Sequence, residues 1–243
     1  SKLYVVRFVH INTKFGGKHM KISPTLTEVK EIAKTGKYDI LPVSCEILSD
    51  FITPIEAMRI LQNVSTHCYL LESAQANEAW GRYTFLGYDP KLEINCIDGH
   101  MKLGKLSVET ENPSEYIRQI LSEYKSPKFD YLPSFTGGLV GYFSYDYLGY
   151  KEKSIRGKAR DTEAFKDVDL MLFDKVIAFD NLCQKIILIA NMSLDAPETG
   201  YNKAIVELKQ LSELLMHGEK KQNMGGKLLG EVTPLFDKEQ YCE

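Results

Sequence analysis

Three short segments of this 243-residue chain carry side chains whose types and spacing suit chemistry. In Tyr69-Leu70-Leu71-Glu72-Ser73-Ala74 an apolar run ends in a carboxylate beside a hydroxyl. Such a pair at a strand end can hold an ammonium group through charge-assisted hydrogen bonds. The plainer reading is that Glu72 and Ser73 open a solvated loop, the usual fate of charges at strand ends. In Trp80-Gly81-Arg82-Tyr83-Thr84-Phe85-Leu86-Gly87 the Arg82 guanidinium suits a planar, bidentate hold on a carboxylate, with aromatic neighbours to stack on. Its alternative is an edge-strand arginine laid along an aromatic core. In Phe135-Thr136-Gly137-Gly138-Leu139-Val140-Gly141-Tyr142-Phe143-Ser144-Tyr145-Asp146, glycines within a strand remove side chains where another backbone or a ligand comes close. No Gly-Lys-Ser/Thr follows, so this is not a phosphate loop, and a bulge or tight strand packing is the structural alternative.

These segments need a scaffold, and the punctuation of the chain supplies one. Ser23-Pro24 reads as the start of a helix, Leu26, Val29, Ile32 and Ala33 line one face, and Gly36 marks its stop. Ile40–Leu48 reads as a strand. Thr53-Pro54-Ile55-Glu56 is a capping box opening a helix to about Asn63. His67–Glu72, Tyr83–Gly87 and Leu92–Ile97 are strand-like, and Asp98-Gly99 predicts a hairpin into Met101–Val108. Asn112-Pro113-Ser114-Glu115 opens a further helix, with Ile117, Ile120, Leu121 and Tyr124 expected to face inward. Leu139–Tyr145, Asp169–Phe179 and Gln184–Met192 read as strands. Tyr201, Ala204, Ile205, Leu208, Leu211 and Leu215 make a helical stripe within Pro197–His217. Hairpins outnumber β-α-β alternation, so the class is α+β: a mainly antiparallel sheet with flanking helices, not a Rossmann fold.

Composition narrows the function classes. A net charge of -3 and the lack of a long basic cluster give no electrostatic case for nucleic acid. No apolar run reaches the roughly 20 residues of a membrane helix. Cys45, Cys68, Cys96, Cys183 and Cys242 are scattered and odd in number, as are His10, His19, His67, His100 and His217. Reduced thiols in a cytoplasm fit better than disulfides or a zinc site.

Both ends break the pattern. Gly16-Gly17-Lys18-His19-Met20 back-translates to GGN GGN AAR CAY ATG, which permits a bacterial ribosome-binding sequence before an ATG. Met20 is therefore the expected start and 1–19 an upstream or non-native segment, with a genuine N-terminal strand or an expression remnant as the alternative. Residues 219–230 read as a linker or exposed loop, and Pro234–Glu243 as the opening of a helix that stops in mid-pattern.

In order and content the motifs resemble the N-terminal region of anthranilate synthase component I, the large subunit, within the chorismate-utilising enzymes. The residues carrying the likeness are Leu41-Pro42 with Thr53-Pro54, Leu70-Leu71-Glu72-Ser73, Gly81-Arg82-Tyr83, Gly137–Asp146 and Asp169-Leu170-Met171-Leu172-Phe173-Asp174. The likeness runs from about Pro24 to Glu243. It implies an incomplete N-terminal part of that fold: a tryptophan-sensing domain over 20–218, then, over 219–243, a linker and the start of a chorismate-binding catalytic domain. The whole enzyme would be a lyase converting chorismate and ammonia, drawn from glutamine by a glutamine amidotransferase subunit (component II), into anthranilate and pyruvate with Mg2+. L-tryptophan would inhibit it. Carried over by residue, Glu72 and Ser73 would hold the tryptophan ammonium group, Leu71 would line the pocket, and Arg82 and Tyr83 would sit at its side, with the structural alternative still open for these two. Catalytic and magnesium residues would lie in the C-terminal part, so this chain alone would be inactive. The competing readings are the large subunit of aminodeoxychorismate synthase and a non-catalytic amino-acid-sensing or docking module.

Overall fold

Local capping sets the first elements. The structure, a computed structural model, describes residues 20–72, 81–152, 154, 165–222, 225–226, 229–230 and 239–240. A two-residue strand β1 (Ile22–Ser23) leads into α1 (Leu26–Lys34), whose cap is Thr25. The Thr25 N–H donates to the Glu28 carboxylate at 2.7 Å and the Glu28 N–H returns a bond to the Thr25 hydroxyl. Ser23 thus pairs with Ser44 in the sheet instead of capping the helix, and Pro24 precedes the cap, its carbonyl accepting from the Tyr201 hydroxyl at 3.0 Å. The capping box outcompetes Ser23-Pro24 because it satisfies two orphan donors at once. After β2 (Ile40–Leu48), the second capping box, Thr53 with Glu56, starts α2 (Pro54–Val64) where the sequence places it.

The strands that follow are β3 (Cys68–Leu71), β4 (Tyr83–Tyr88), β5 (Leu92–Ile97), β6 (His100–Leu103) and β7 (Leu106–Glu109). Asp98 and Gly99 both take positive φ, +48° and +86°, and close the predicted hairpin. The expected strand Met101–Val108 is instead a second hairpin, β6 and β7, turning at Gly104-Lys105. Helix α3 (Pro113–Ser122) buries Ile117 and half-buries Ile120, whereas Leu121 is exposed. Strand β8 (Gly138–Phe143) ends in a 3-10 turn over Tyr145–Tyr150, two residues short of the expected extent.

The largest departure lies in Asp169–Phe179. Its continuous apolar pattern reads as one strand, yet the chain breaks at Asp174 into β9 (Val168–Phe173) and β10 (Lys175–Asp180), each in a different sheet. β11 (Lys185–Ser193) and α4 (Pro197–His217) complete the described fold. One sheet has six strands in the order β1-β2-β11-β10-β4-β3 and the other has five in the order β7-β6-β5-β9-β8. Every strand pairing among the described residues is antiparallel. The architecture is α+β.

Helices α1, α2 and α4 cover one face of the six-stranded sheet, where Leu41, Val43, Ile60, Leu61, Leu86 and Leu188 form the main core. The stripe of α4 buries Leu208, Leu211 and Leu215, each contributing roughly 1.5–3 kcal/mol. The opposite face carries Val176, Ala178, Ile187 and Ile189 beneath Leu132, Phe129 and Phe135. Cover on both faces explains why Ile186–Ala190 is buried without alternation. The five-stranded sheet packs Ile94, Cys96, Met101, Val168 and Leu170 against Ile117. Among the described residues no helix is long and apolar enough to cross a membrane.

Gly141 sits at φ +154° opposite Leu170, and a Cβ there would lie 1.9 Å from the Asp169 carbonyl oxygen. Close backbone approach between β8 and β9 therefore accounts for this glycine. Gly141→Ala is expected to destabilise the chain by roughly 2–4 kcal/mol through overpacking and backbone strain, measured by urea denaturation.

Candidate functional site

Among the described residues, strand β3 is an edge of the six-stranded sheet and pairs with β4. Alternation along it sends Cys68 and Leu70 to the helix-covered face and Tyr69 and Leu71 to the other. The register sets Leu71 opposite Phe85, so Leu71, Tyr83 and Phe85 share one face. Leu71 is 45% exposed and Glu72, just past the strand end, is exposed as well. Ser73 and Trp80 lie outside the described residues. The described part of the expected site is thus an apolar and aromatic wall ending in a solvent-facing carboxylate.

Behind this wall the rings form a continuous group. Tyr83 and Phe85 lie 5.8 Å apart, Phe85 meets Phe135 edge-on at 5.5 Å, and Tyr69 meets Phe135 at 6.3 Å and Phe173 at 4.7 Å. Phe173 belongs to the other sheet, so the cluster joins the two. Gly87 permits it: a Cβ there would stand 2.2 Å from the Tyr69 ring. The Tyr69 hydroxyl is buried without a hydrogen-bond partner, and burial pushes its pKa up. Sequence reasoning missed Tyr69, Phe173 and Gly87 as one unit. The glycine inside an apolar strand was the available signal.

Arg82 is engaged within the protein. Its Nε donates to Asp180 Oδ1 at 3.0 Å and its Nη2 to Asp180 Oδ2 at 2.7 Å, a bidentate pair. The Asp180 side chain has no solvent exposure, whereas that of Arg82 is 34% exposed. Asp180 also accepts from the backbone N–H groups of Leu182 and Cys183 at 3.2 and 3.0 Å, which braces the β10–β11 turn. Burial alone would raise the Asp180 carboxyl. The hydrogen bonds from Arg82 and then from the Cys183 N–H outweigh it and hold the group down at about 2. The guanidinium carbon lies 4.9 Å from the centre of the Tyr83 ring. Asp180, which closes an apolar run with a charge, was not singled out from the sequence.

Clefts also open elsewhere among the described residues. One of about 490 Å³ lies where the start of α4 faces the β4–β5 and β9–β10 connections, with Asp174, Lys175 and Lys203 among its walls. Another, about 410 Å³, lies between α1 and the stacked Phe129 and Tyr131. Among the described residues no three His, Cys, Asp or Glu side chains gather so as to hold a metal ion.

The family model for chorismate binding enzymes matches residues 66–243, a span that contains all three motif segments. The chain belongs to this family of chorismate-binding enzymes. It is 30% identical over 237 residues to anthranilate synthase component 1 of Acetivibrio thermocellus, covering 90% of this chain and 46% of that protein. It is 36% identical over 186 residues to the Pseudomonas aeruginosa protein of the same name, covering 73% of this chain and 37% of that one. A crystal structure of anthranilate synthase component I from Streptococcus pneumoniae aligns with a TM-score of 0.46 and 26% identity, over 69% of this chain and 35% of that one. The chain thus spans less than half the length of these relatives, and the resemblance read from the motifs holds.

Removing Asp180 leaves the Arg82 fork and the Leu182 and Cys183 N–H groups without their acceptor. Asp180→Ala is expected to cost about 2–4 kcal/mol in urea unfolding, at the lower end for buried pairs because Arg82 is partly solvated. Because the folded-state pKa of Asp180 is depressed, its contribution is present above about pH 4 and lost as the pH falls toward 2. Asp180→Asn is expected to remove that component from the acid-unfolding curve.

Proposed function

We propose that this chain is the N-terminal regulatory portion of an anthranilate synthase component I. On this reading the complete enzyme converts chorismate and glutamine-derived ammonia to anthranilate and pyruvate, with a glutamine amidotransferase subunit supplying the ammonia and L-tryptophan inhibiting the reaction. The observation that carries it is the edge of β3: Leu71 beside Tyr83 and Phe85, followed at once by the exposed carboxylate of Glu72. An indole needs a flat apolar wall, and the ammonium group next to it needs an acid and a hydroxyl within a few ångströms. Leu71 and Tyr83 supply the wall. Glu72 and Ser73 supply the polar end, with Arg82 alongside.

Feedback on this reading is differential binding. Tryptophan prefers a state of the subunit that binds chorismate poorly, and by linkage chorismate weakens tryptophan. The Mg2+ expected for the chemistry, and the residues that would bind it, are assigned to the C-terminal part of the longer protein.

The test is Ser73→Phe in the full-length enzyme, followed by anthranilate fluorescence with ammonia as the nitrogen donor. The bulky ring should block the pocket and raise the half-inhibitory tryptophan concentration by at least about tenfold, while kcat moves by less than about twofold. Unchanged sensitivity to tryptophan would overturn the site assignment. The isolated 243-residue chain is expected to form no anthranilate from chorismate and ammonia.

A further inference from the structure

Arg82 was expected to stand beside the effector, and the geometry gives its charge a different task. Both hydrogen-bonding arms of the fork that faces Asp180 are taken, at 3.0 and 2.7 Å, and Nη2 also reaches the Cys183 sulfur at 3.5 Å. To grip a ligand carboxylate in the same bidentate manner, Arg82 would have to release Asp180. That would strand a fully buried carboxylate for the sake of a contact at a partly solvated guanidinium. The exchange is unfavourable, so the fork stays with Asp180.

What the fork positions is Tyr83. Asp180 lies directly across the sheet from Tyr83, and the Asn181 N–H donates to the Arg82 carbonyl at 2.9 Å, so the pair sits where β4 begins and β10 ends. The guanidinium covers the Tyr83 ring from one side, and Phe85 lies 5.8 Å away along the strand. A tyrosine at the start of β4, with its ring part-exposed, would otherwise sample its χ1 wells. Asp180 is braced in turn by two backbone N–H groups of the β10–β11 turn. The brace therefore runs from that turn, through Asp180 and Arg82, to the ring that flanks Leu71.

We infer that Arg82 and Asp180 form a positioning clamp for the effector wall, which sets the strength of tryptophan inhibition by fixing the Tyr83 ring without touching the ligand. The inference rests on the reading of Leu71, Glu72, Ser73 and Tyr83 as a tryptophan site.

The experiment uses the full-length enzyme with ammonia, and compares Asp180→Asn, Arg82→Lys, the double variant and Glu72→Gln. Half-inhibitory concentrations are read for L-tryptophan and for L-tryptophanamide, which lacks the carboxylate charge, and thermal melts confirm that each variant is folded. Each clamp variant is expected to raise the half-inhibitory concentration of both ligands about tenfold, with their ratio unchanged and the double variant no worse than either single one. Arg82→Lys keeps the charge and loses the fork, so it serves if Asp180→Asn does not fold. A ratio that collapses toward one in Arg82→Lys would make Arg82 a direct carboxylate contact and overturn the clamp. Normal inhibition in both folded clamp variants, with inhibition lost in Glu72→Gln, would overturn the clamp and leave the tryptophan site standing. Normal inhibition in Glu72→Gln and in Ser73→Phe would remove the site itself, and the clamp with it.

Discussion

Between Val168 and Asp180 one stretch of backbone serves two sheets, and its route past Asp174 governs the rest of the fold. A chain leaving one ladder for another exposes backbone groups that a buried site must pair. Asn191, at the far end of β11, does much of this: its backbone N–H reaches the Asp174 carbonyl at 2.8 Å, and its side-chain amide donates to Asp174 at 2.9 Å and Thr136 at 2.6 Å. Three connections, β8's approach, β9–β10 and β11, are thereby pinned at one point. Shifting that point would change which residues of β10 meet β4, and so which side chains stand at the candidate site.

The aromatic cluster is the apolar counterpart of this joint. Phe173, the last residue before the crossing, meets Tyr69 of the other sheet at 4.7 Å, and Phe135 closes the group from the segment leading into β8. Five rings in edge or tilted contact give area burial plus a modest directional gain per pair. Because Tyr69 neighbours Leu71 on the same face of β3, the rigidity of the joint extends to the strand end where Glu72 emerges. The site thus sits on regular strands, with its floor made from both sheets.

Two charged residues at this edge have opposite fates, and burial decides between them. Asp180 has no exposure, so its charge is tolerable only with the Arg82 fork and two backbone donors around it. Glu72 lies past the end of an edge strand, exposed to solvent and open to a ligand. The structure commits one carboxylate to holding the strands together and leaves the other available. The same logic separates Gly141, required by the backbone of β9, from residues whose exposure leaves them open to binding.

By itself the sequence determined the local elements and the family: the capping box at Thr53–Glu56, the Asp98-Gly99 hairpin, the stripe of α4, the α+β class and the motif order shared with chorismate-binding enzymes. Those features are set by interactions within a few residues, where cap, turn and periodicity have one low-energy answer. It also marked Leu71, Glu72, Arg82 and Tyr83, but not how they divide the work. Tertiary structure alone decided that Asp169–Phe179 is two strands in different sheets and that Arg82 belongs to Asp180, 98 residues away, whereas the Thr25–Glu28 capping box and the Gly104-Lys105 turn are local. An apolar run has the same alternation whether it stays in one sheet or crosses to another, and an arginine looks the same whether its carboxylate is a ligand's or the protein's own. The partner is chosen by which strands lie side by side, and that depends on contacts far apart along the chain.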